Sequence, residues 1–128
     1  MQMDPGTVLP IPDVPHARFS ETDMLPVHSA RLTPGKVERR IIHASGLRPL
    51  FLIGDDARSR TWLRARIESL RTLRAVGFVV NVDSPDALAS LRQLASGVTL
   101  VPASGDDLAQ RLKLNHYPAL ITATGIEQ

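Results

Sequence analysis

Aspartate side chains gather where the apolar runs of this sequence end. Asp55 and Asp56 follow one run, Asp83 follows a second, and Asp106 and Asp107 follow a third. If the runs are parallel strands, their carboxyl ends share one edge of a sheet, where ligands bind in open α/β folds. Carboxylates at that edge could hold Mg²⁺ for phosphotransfer or nuclease chemistry. The favoured interpretation is that they cap helices, because Asp at a helix start accepts backbone N–H bonds.

Other residue types exclude several kinds of catalysis. The chain has no cysteine, so disulfides, thiolate metal sites and thiol redox chemistry are absent. The four histidines follow no metal-binding spacing, and no nucleophile elbow or phosphate-binding glycine loop occurs. We therefore expect no enzyme activity, no catalytic residue, no metal and no cofactor. The four histidines are His16, His28, His43 and His116.

Six arginines lie between Arg58 and Arg74 in a stretch with helical periodicity. With a net charge of +2, they raise the alternative of a nucleic-acid-binding helix. A solvated helix face is favoured, because carboxylates interrupt the charge, and no direct contact with nucleic acid is expected. Glu68 is expected to pair with Arg64 at i, i+4. Arg66 falls on the apolar side, where snorkelling is preferred over pairing with a strand-end aspartate.

From residue 49 onward the sequence predicts alternating strands and helices around one core. Ser59 or Asp56 can cap the first helix, and Ser84 followed by Pro85 marks the start of the second. Apolar runs bounded by turn residues predict the strands. In chain order we predict strand 50–53, a helix to about 74, strand 78–82, a helix ending at Gly97, strand 98–101, a helix beginning at 104–107 and strand 118–122. This order is typical of the α/β class.

The first 49 residues differ in composition, since they hold seven of the ten prolines. This density predicts a partly disordered, proline-rich arm over residues 1–48, with residues 1–26 mobile, before a domain spanning 49–128. Within the arm, Thr33-Pro34-Gly35 predicts a turn or a helix start. No apolar run approaches the ~18 residues of a membrane span, and the first residues lack the pattern of a signal peptide.

The stretch DDLAQRLKLNHYPALITATG resembles the second half of the thioredoxin fold, where a helix, a loop and a cis-proline precede a strand. PLFLIGDDARSRTWL then matches the first strand and the loop into the first helix. This resemblance implies a mixed sheet flanked by helices and a cis bond between Tyr117 and Pro118. The two functional cysteines of thioredoxins have no counterparts here, so oxidoreductase activity is not implied.

A narrower resemblance rests on RPLFLIGDD, SRTWL, AVGFVVNV, PASGDDLAQRL and HYPALITATGIEQ. In number and order these motifs are similar to a family of integrating-conjugative-element proteins associated with type IV secretion. The layout is also similar to the pilus-assembly proteins TrbC and TraW. The resemblance covers about residues 30–128 and implies a periplasmic, thioredoxin-like component that binds other secretion or pilus-assembly proteins. An accessory DNA-binding role in conjugative transfer is the alternative within this context.

A partner-binding surface is predicted beside the proline, where an extended peptide can pair with exposed backbone. Tyr and Trp suit such surfaces because they combine apolar area with a polar group. The alternative is that Trp62 and Tyr117 lie wholly or partly in the core, and for Trp62 this alternative is favoured. The residues predicted for this surface are Tyr117, Pro118, His116, Asp55, Asp56 and Trp62.

Overall fold

This computed structural model describes residues 25–128, and strands and helices alternate between residues 50 and 117. The described residues form eight strands and three helices. The elements are β1 (Thr33–Pro34), β2 (Arg40–Ile41), β3 (Leu50–Gly54), α1 (Ala57–Leu73), β4 (Val76–Asn81), α2 (Pro85–Leu94), β5 (Leu100–Pro102), α3 (Asp106–Leu112), β6 (His116–Tyr117), β7 (Ala119–Ile121) and β8 (Gly125–Glu127). The predicted α/β class, with a mixed sheet and flanking helices, is confirmed.

The main sheet has six strands in the order β2-β8-β7-β3-β4-β5. One half of it is parallel, because β4 pairs in parallel with both β3 and β5, and β5 is an edge strand. The other half is antiparallel, since β7 pairs with β3 and with β8, and β2 pairs with β8. A separate parallel pair joins β1 to β6. The carboxyl ends of β3 and β4 therefore meet at one edge, next to the start of α1.

Apolar side chains bury both faces of the sheet. Successive residues of a strand point to opposite faces, and Phe51 accordingly joins the cluster that contains Leu63 of α1, while Leu52 joins the cluster that contains Ala109 of α3. Leu88 of α2 belongs to the same cluster as α1. The continuous apolar character of β3 thus reflects burial on both faces, as parallel strands require.

Helix starts follow the sequence signals closely. The Asp56 side chain caps α1 by accepting from Ser59 N, and the Ser84 side chain caps α2 by accepting from Ala87 N, with Pro85 in the first turn. The α1 helix ends at Arg74, which adopts a left-handed φ of 55°. The α3 helix begins after Gly105 without a side-chain cap. The predicted starts of α1 and α2 are confirmed.

Residues 25–48, the described part of the predicted arm, pack on the rest of the fold. Val27, Leu32 and Val37 are buried, and β2 extends the main sheet. The prediction of a turn or helix start at Thr33–Gly35 is wrong, because Thr33 and Pro34 form β1 and pair with β6. The predicted mobility of the arm falls largely on residues 1–24, which lie outside the described residues, and the boundary at residue 49 stays a prediction.

The observed contacts of two side chains on α1 bear on the predictions made for them. Arg66, for which snorkelling was preferred, donates to Glu127 Oε2 at 3.5 Å and to the Gln128 carbonyl, so the alternative of a strand-end aspartate as its partner is wrong. Glu68 pairs with Arg71 at 3.0 Å, one turn toward the C terminus, instead of with Arg64. Strand β8 was not predicted as a strand, which explains why its carboxylate was missed as the partner of Arg66.

The peptide bond between Tyr117 and Pro118 is cis, as predicted from the resemblance to thioredoxins. A second cis bond joins Leu25 and Pro26. Within residues 25–128, none of the helices combines the length and the apolar character that a membrane crossing requires.

Candidate functional site

The start of α1 is held by a closed set of hydrogen bonds between a carboxylate and a buried serine. Asp56 Oδ2 accepts from Ser59 N at 2.9 Å, and Asp56 Oδ1 accepts from Ser59 Oγ at 2.8 Å. Ser59 Oγ in turn accepts from Gly54 N at 2.9 Å. Ser59 is completely buried. This set joins the end of β3 to α1, so the capping interpretation of Asp56 is confirmed.

The two neighbouring aspartates at this edge support backbone and loop structure. Asp55 Oδ2 accepts from Asp83 N at 3.3 Å, which links the ends of β3 and β4. The Asp83 carboxylate lies 3.3 Å from His28 Nε2, and both side chains are largely exposed. In neither of these contacts do several carboxylate oxygen atoms converge on one position, as coordination of a metal ion would require.

The two aspartates of α3 have different partners, and neither caps the helix. Asp106 accepts from the backbone N–H groups of Ala30 and Arg31 at 3.1 and 2.8 Å. Asp107 pairs with Arg111 at 3.4 Å along the helix. Among residues 25–128, no group of three or more His, Cys, Asp and Glu side chains is arranged to hold a metal ion. The predicted carboxylates therefore divide between helix capping, strand-end linkage and anchoring of the chain before β1.

Tyr117 lies beneath this edge rather than on it. Its side chain is only 2% exposed, and its hydroxyl accepts from Asn81 Nδ2 at 3.1 Å. Asn81 Nδ2 also donates to Leu32 O, and Asn81 Oδ1 accepts from Ser29 N at 2.7 Å. Burial raises the pKa of the Tyr117 phenol above its usual 10.0, and the charges of Asp56 and Asp55 add to the rise against a lowering by the Asn81 hydrogen bond.

Gly54 is required where β3 passes the Tyr117 ring. A Cβ at this position would lie 2.7 Å from Tyr117 Cε1 and 2.9 Å from Asp56 Oδ1. Both distances are shorter than van der Waals contact, so a side chain here would displace the ring or the cap. The glycine thus lets the tyrosine and the helix cap occupy adjacent positions.

A shallow cavity of about 410 Å³ opens beside α1. We call this surface the Trp62 groove, and it is lined by Ala57, Arg58, Thr61, Trp62, Pro118 and Gln128. Trp62 is 8% exposed and packs against Phe51 with ring centroids 5.8 Å apart. Gln128 Nε2 donates to Pro118 O at 2.9 Å and to Gly35 O at 2.8 Å, which fixes one wall of the groove.

The indole N–H of Trp62 is buried and has no hydrogen-bond partner among residues 25–128. Burying an unpaired donor costs about 1–3 kcal/mol. The tilted ring contact with Phe51 offsets part of that cost, since aromatic pairs contribute about 0.5–1.5 kcal/mol beyond the area they bury. Trp62 is therefore a core residue whose outer edge also lines the groove, and the favoured alternative for it is confirmed.

The six residues predicted for a partner surface are only partly brought together. Trp62 and Pro118 line the groove, and Asp56 caps the helix that forms its wall. His116 lines a different cavity, with Nδ1 3.1 Å from Thr33 Oγ1. Asp55 links the ends of β3 and β4 through its bond to Asp83 N, and Tyr117 is buried.

Sequence reasoning missed four residues that line the groove, namely Ala57, Arg58, Thr61 and Gln128. Arg58 and Thr61 precede Trp62 by four and one positions, and Arg58 to Thr61 is an i, i+3 step that places both on one helix face. That spacing was visible in the sequence. Gln128 could not be found in this way, because its position follows from the pairing of β7 with β8.

Within residues 25–128, three of the six arginines between residues 58 and 74 donate to other groups of the chain. Arg60 reaches Ser90 Oγ at 2.8 Å, and Arg71 reaches Ser96 O at 2.8 Å as well as Glu68. Arg66 bonds to β8 as described above. These arginines tie α1 to α2, to the loop after α2 and to the sheet, which agrees with a structural role for much of this charge.

A family model described as "Protein of unknown function (DUF2859)" matches residues 2–126. The chain belongs to the DUF2859 family. No curated protein and no solved structure matches it significantly. The family description assigns no activity or compartment, so the function of this DUF2859 protein has to be argued from its surfaces.

Proposed function

We propose that this DUF2859 protein is a non-catalytic, protein-binding component of a conjugative type IV secretion system. In this proposal it is a periplasmic adaptor in the assembly of the pilus or transfer apparatus, and its partners are other secretion or pilus-assembly proteins. The context comes from the sequence resemblance to integrating-conjugative-element proteins. The observation that carries the binding role is the Trp62 groove.

The finer description of the fold as thioredoxin-like belongs to the same proposal. It is supported by the unit β3–α1–β4, in which the strand before the first helix lies next to β7. It is also supported by α3 leading through a loop and Pro118 into the antiparallel pair β7–β8. These two features are what supports the thioredoxin-like description.

The groove suits an extended segment of a partner that carries an apolar side chain next to a carboxylate. The indole edge of Trp62 and the ring of Pro118 supply apolar surface, and both are fixed by the core. Arg58 stands exposed at the rim, near the start of α1, where the helix dipole also favours negative charge. Preformed walls reduce the ordering cost of binding.

Catalysis by the aspartates is the alternative of a different class. It gains no support from the contacts of Asp55, Asp56 and Asp106, because each carboxylate already accepts from backbone N–H groups of its own chain. Titration with Mg²⁺ followed by NMR tests this alternative directly. Saturable shifts at these three residues and at Asp83 would favour the enzyme over the adaptor.

The adaptor is tested by capture and identification of partners from donor cells that carry the conjugative element. We would compare the full-length protein with Thr61→Arg, which places a long charged side chain across the groove. The matched control is Gln93→Arg, an exposed position on α2 outside the groove. Conjugation frequency after complementation gives a second measurement.

We expect the wild type and Gln93→Arg to retain secretion or pilus-assembly proteins and Thr61→Arg to lose them, with about a tenfold fall in transfer, as truncating a central contact does at many interfaces. Equal capture by both variants would remove the groove from the proposal. Capture of no secretion protein by the wild type, with normal transfer in its absence, would overturn the function itself.

A further inference from the structure

Two adjoining cavities form a second surface, on residues that the Trp62 groove does not use. Their volumes are about 270 and 450 Å³, and both are lined by Lys113, Leu114 and Asn115. The first extends toward Lys36 and Arg40, and the second extends toward Arg31. We call this surface the basic cleft, defined by Arg31, Lys36, Arg40 and Lys113.

Positive charge is in excess along the basic cleft. Glu38 is the single carboxylate among the lining residues, and it pairs loosely with Lys36 at 3.9 Å, with both side chains about four-fifths exposed. Asp106 lies close by, but it accepts from the backbone N–H of Arg31 rather than from the guanidinium. Among residues 25–128 no carboxylate lies within ion-pair distance of the side chains of Arg31 or Lys113.

Hydrogen bonds hold the Arg40 side chain and the backbone of Lys113 and Arg31 in place. One nitrogen of the Arg40 guanidinium donates to the Leu112 carbonyl at the end of α3, which leaves most of its five N–H donors for other groups. Lys113 ends α3 in a left-handed conformation with φ 56°, and its backbone N–H donates to Ala109 O. Arg31 is anchored through its backbone by Asp106.

Apolar side chains form the floor between the cations. Val37 is 8% exposed and Leu114 is 5% exposed, and both belong to the buried cluster on the α3 side of the sheet. The side chain of Asn115 is exposed on the wall and offers both a donor and an acceptor. The cleft thus combines an excess of positive charge, a narrow apolar floor and an amide that can bond to a peptide backbone.

We propose that the basic cleft binds an acidic peptide segment of a partner protein, one that alternates carboxylate and apolar side chains. Nucleic acid fits less well, because among residues 25–128 no Phe, Tyr or Trp lines the cleft and only His116 offers a ring on which a base could stack. The cleft has four cations and one carboxylate, and this small excess of positive charge suits a short acidic peptide better than a nucleic acid, whose backbone carries a negative charge at every nucleotide. The proposal does not depend on the Trp62 groove.

Fluorescence anisotropy with the full-length protein tests this proposal. The probe is a fluorescein-labelled peptide of four Glu-Leu repeats, and the comparison probes are a Lys-Leu peptide of equal length and a single-stranded oligonucleotide of similar total charge. The variants are Lys113→Glu and Arg31→Glu in the cleft. The matched control is Arg64→Glu, which makes the same change of charge at an exposed position of α1.

We expect saturable binding of the Glu-Leu peptide that weakens about tenfold in each cleft variant and less than about twofold in Arg64→Glu, since a local charge reversal acts through nearby contacts. The Lys-Leu peptide should not bind. The absence of saturable binding, or equal weakening in all three variants, would overturn the proposal. Tighter binding of the oligonucleotide that depends on Lys113 would replace the peptide by nucleic acid as the ligand.

Discussion

Replacing Ser59 by alanine should remove the hydrogen-bonded connection between β3 and the start of α1. The Ser59 hydroxyl is completely buried, accepts from Gly54 N at 2.9 Å and donates to Asp56 Oδ1 at 2.8 Å. Alanine keeps the backbone and nearly the volume of serine, so the change acts on these two bonds. The backbone bond from Ser59 N to Asp56 Oδ2 can persist.

The expected loss follows from the group that is left without a partner. The Gly54 N–H is buried, and an orphaned buried donor costs about 1–3 kcal/mol. Asp56 is half-exposed, so water can replace the hydroxyl there at little cost. Alanine regains up to about 0.5 kcal/mol through its higher helix propensity. The net destabilisation is about 2 kcal/mol, which corresponds to a fall in Tm of about 8 °C for a domain of this size.

Urea unfolding of the full-length protein, followed by circular dichroism and by Trp62 fluorescence, measures this loss. The matched control is Ser69→Ala, an exposed position on the same helix, which should change the free energy of unfolding by less than about 0.5 kcal/mol. If Ser59→Ala is as stable as Ser69→Ala, then the Ser59 hydroxyl does not hold the start of α1. The account of how the Trp62 groove is positioned would then be wrong.

Two further predictions concern Tyr117. Because burial raises the pKa of this single tyrosine above 10.0, the folded protein should hold the phenol proton to higher pH than the urea-unfolded chain does. The stability that the neutral phenol contributes is present below pH 10 and is lost as the pH rises through the raised pKa. Phenolate absorbance and urea unfolding at several pH values would detect this loss. A phenol titration midpoint in the folded protein equal to that of the unfolded chain would contradict it. Gly54→Ala should cost about 1–3 kcal/mol by overpacking, since its Cβ would lie 2.7 Å from Tyr117 Cε1, and wild-type stability in urea would refute the close approach.

Local signals in the sequence predicted the central alternation of strands and helices. Capping side chains are read from neighbouring residues, and so Asp56 and Ser84 marked their helices correctly. The apolar run of β3 was equally informative, because burial on both faces leaves no polar residue within the strand. The class of the fold could therefore be reached from the sequence alone.

Pairings between distant parts of the chain could not be predicted in the same way. Strand β1 has only two residues and forms because Thr33 meets His116 and Pro34 meets Tyr117. A proline-rich stretch gives no sign of such a partner, so the local turn signal was misleading there. For the same reason, only part of the Trp62 groove could be predicted. The spacing of Arg58 and Thr61 is a local feature of the sequence, whereas the position of Gln128 depends on the pairing of β7 with β8.

The hydrogen bonds that hold the segment before β2 affect how the chain can fold while it is being synthesised. Ser29 Oγ donates to Val80 O, Thr33 N donates to Asn115 O, and Gly35 O accepts from Gln128. On the ribosome, residues 27–35 therefore emerge long before the groups that will hold them. Contacts of such large sequence separation form late, because the intervening loop must close first. Until α3 and β6 have left the exit tunnel, Leu32 lacks Ala109, Leu114 and Tyr117 of the cluster that buries it, and this interval is when a chaperone or a premature partner would meet it.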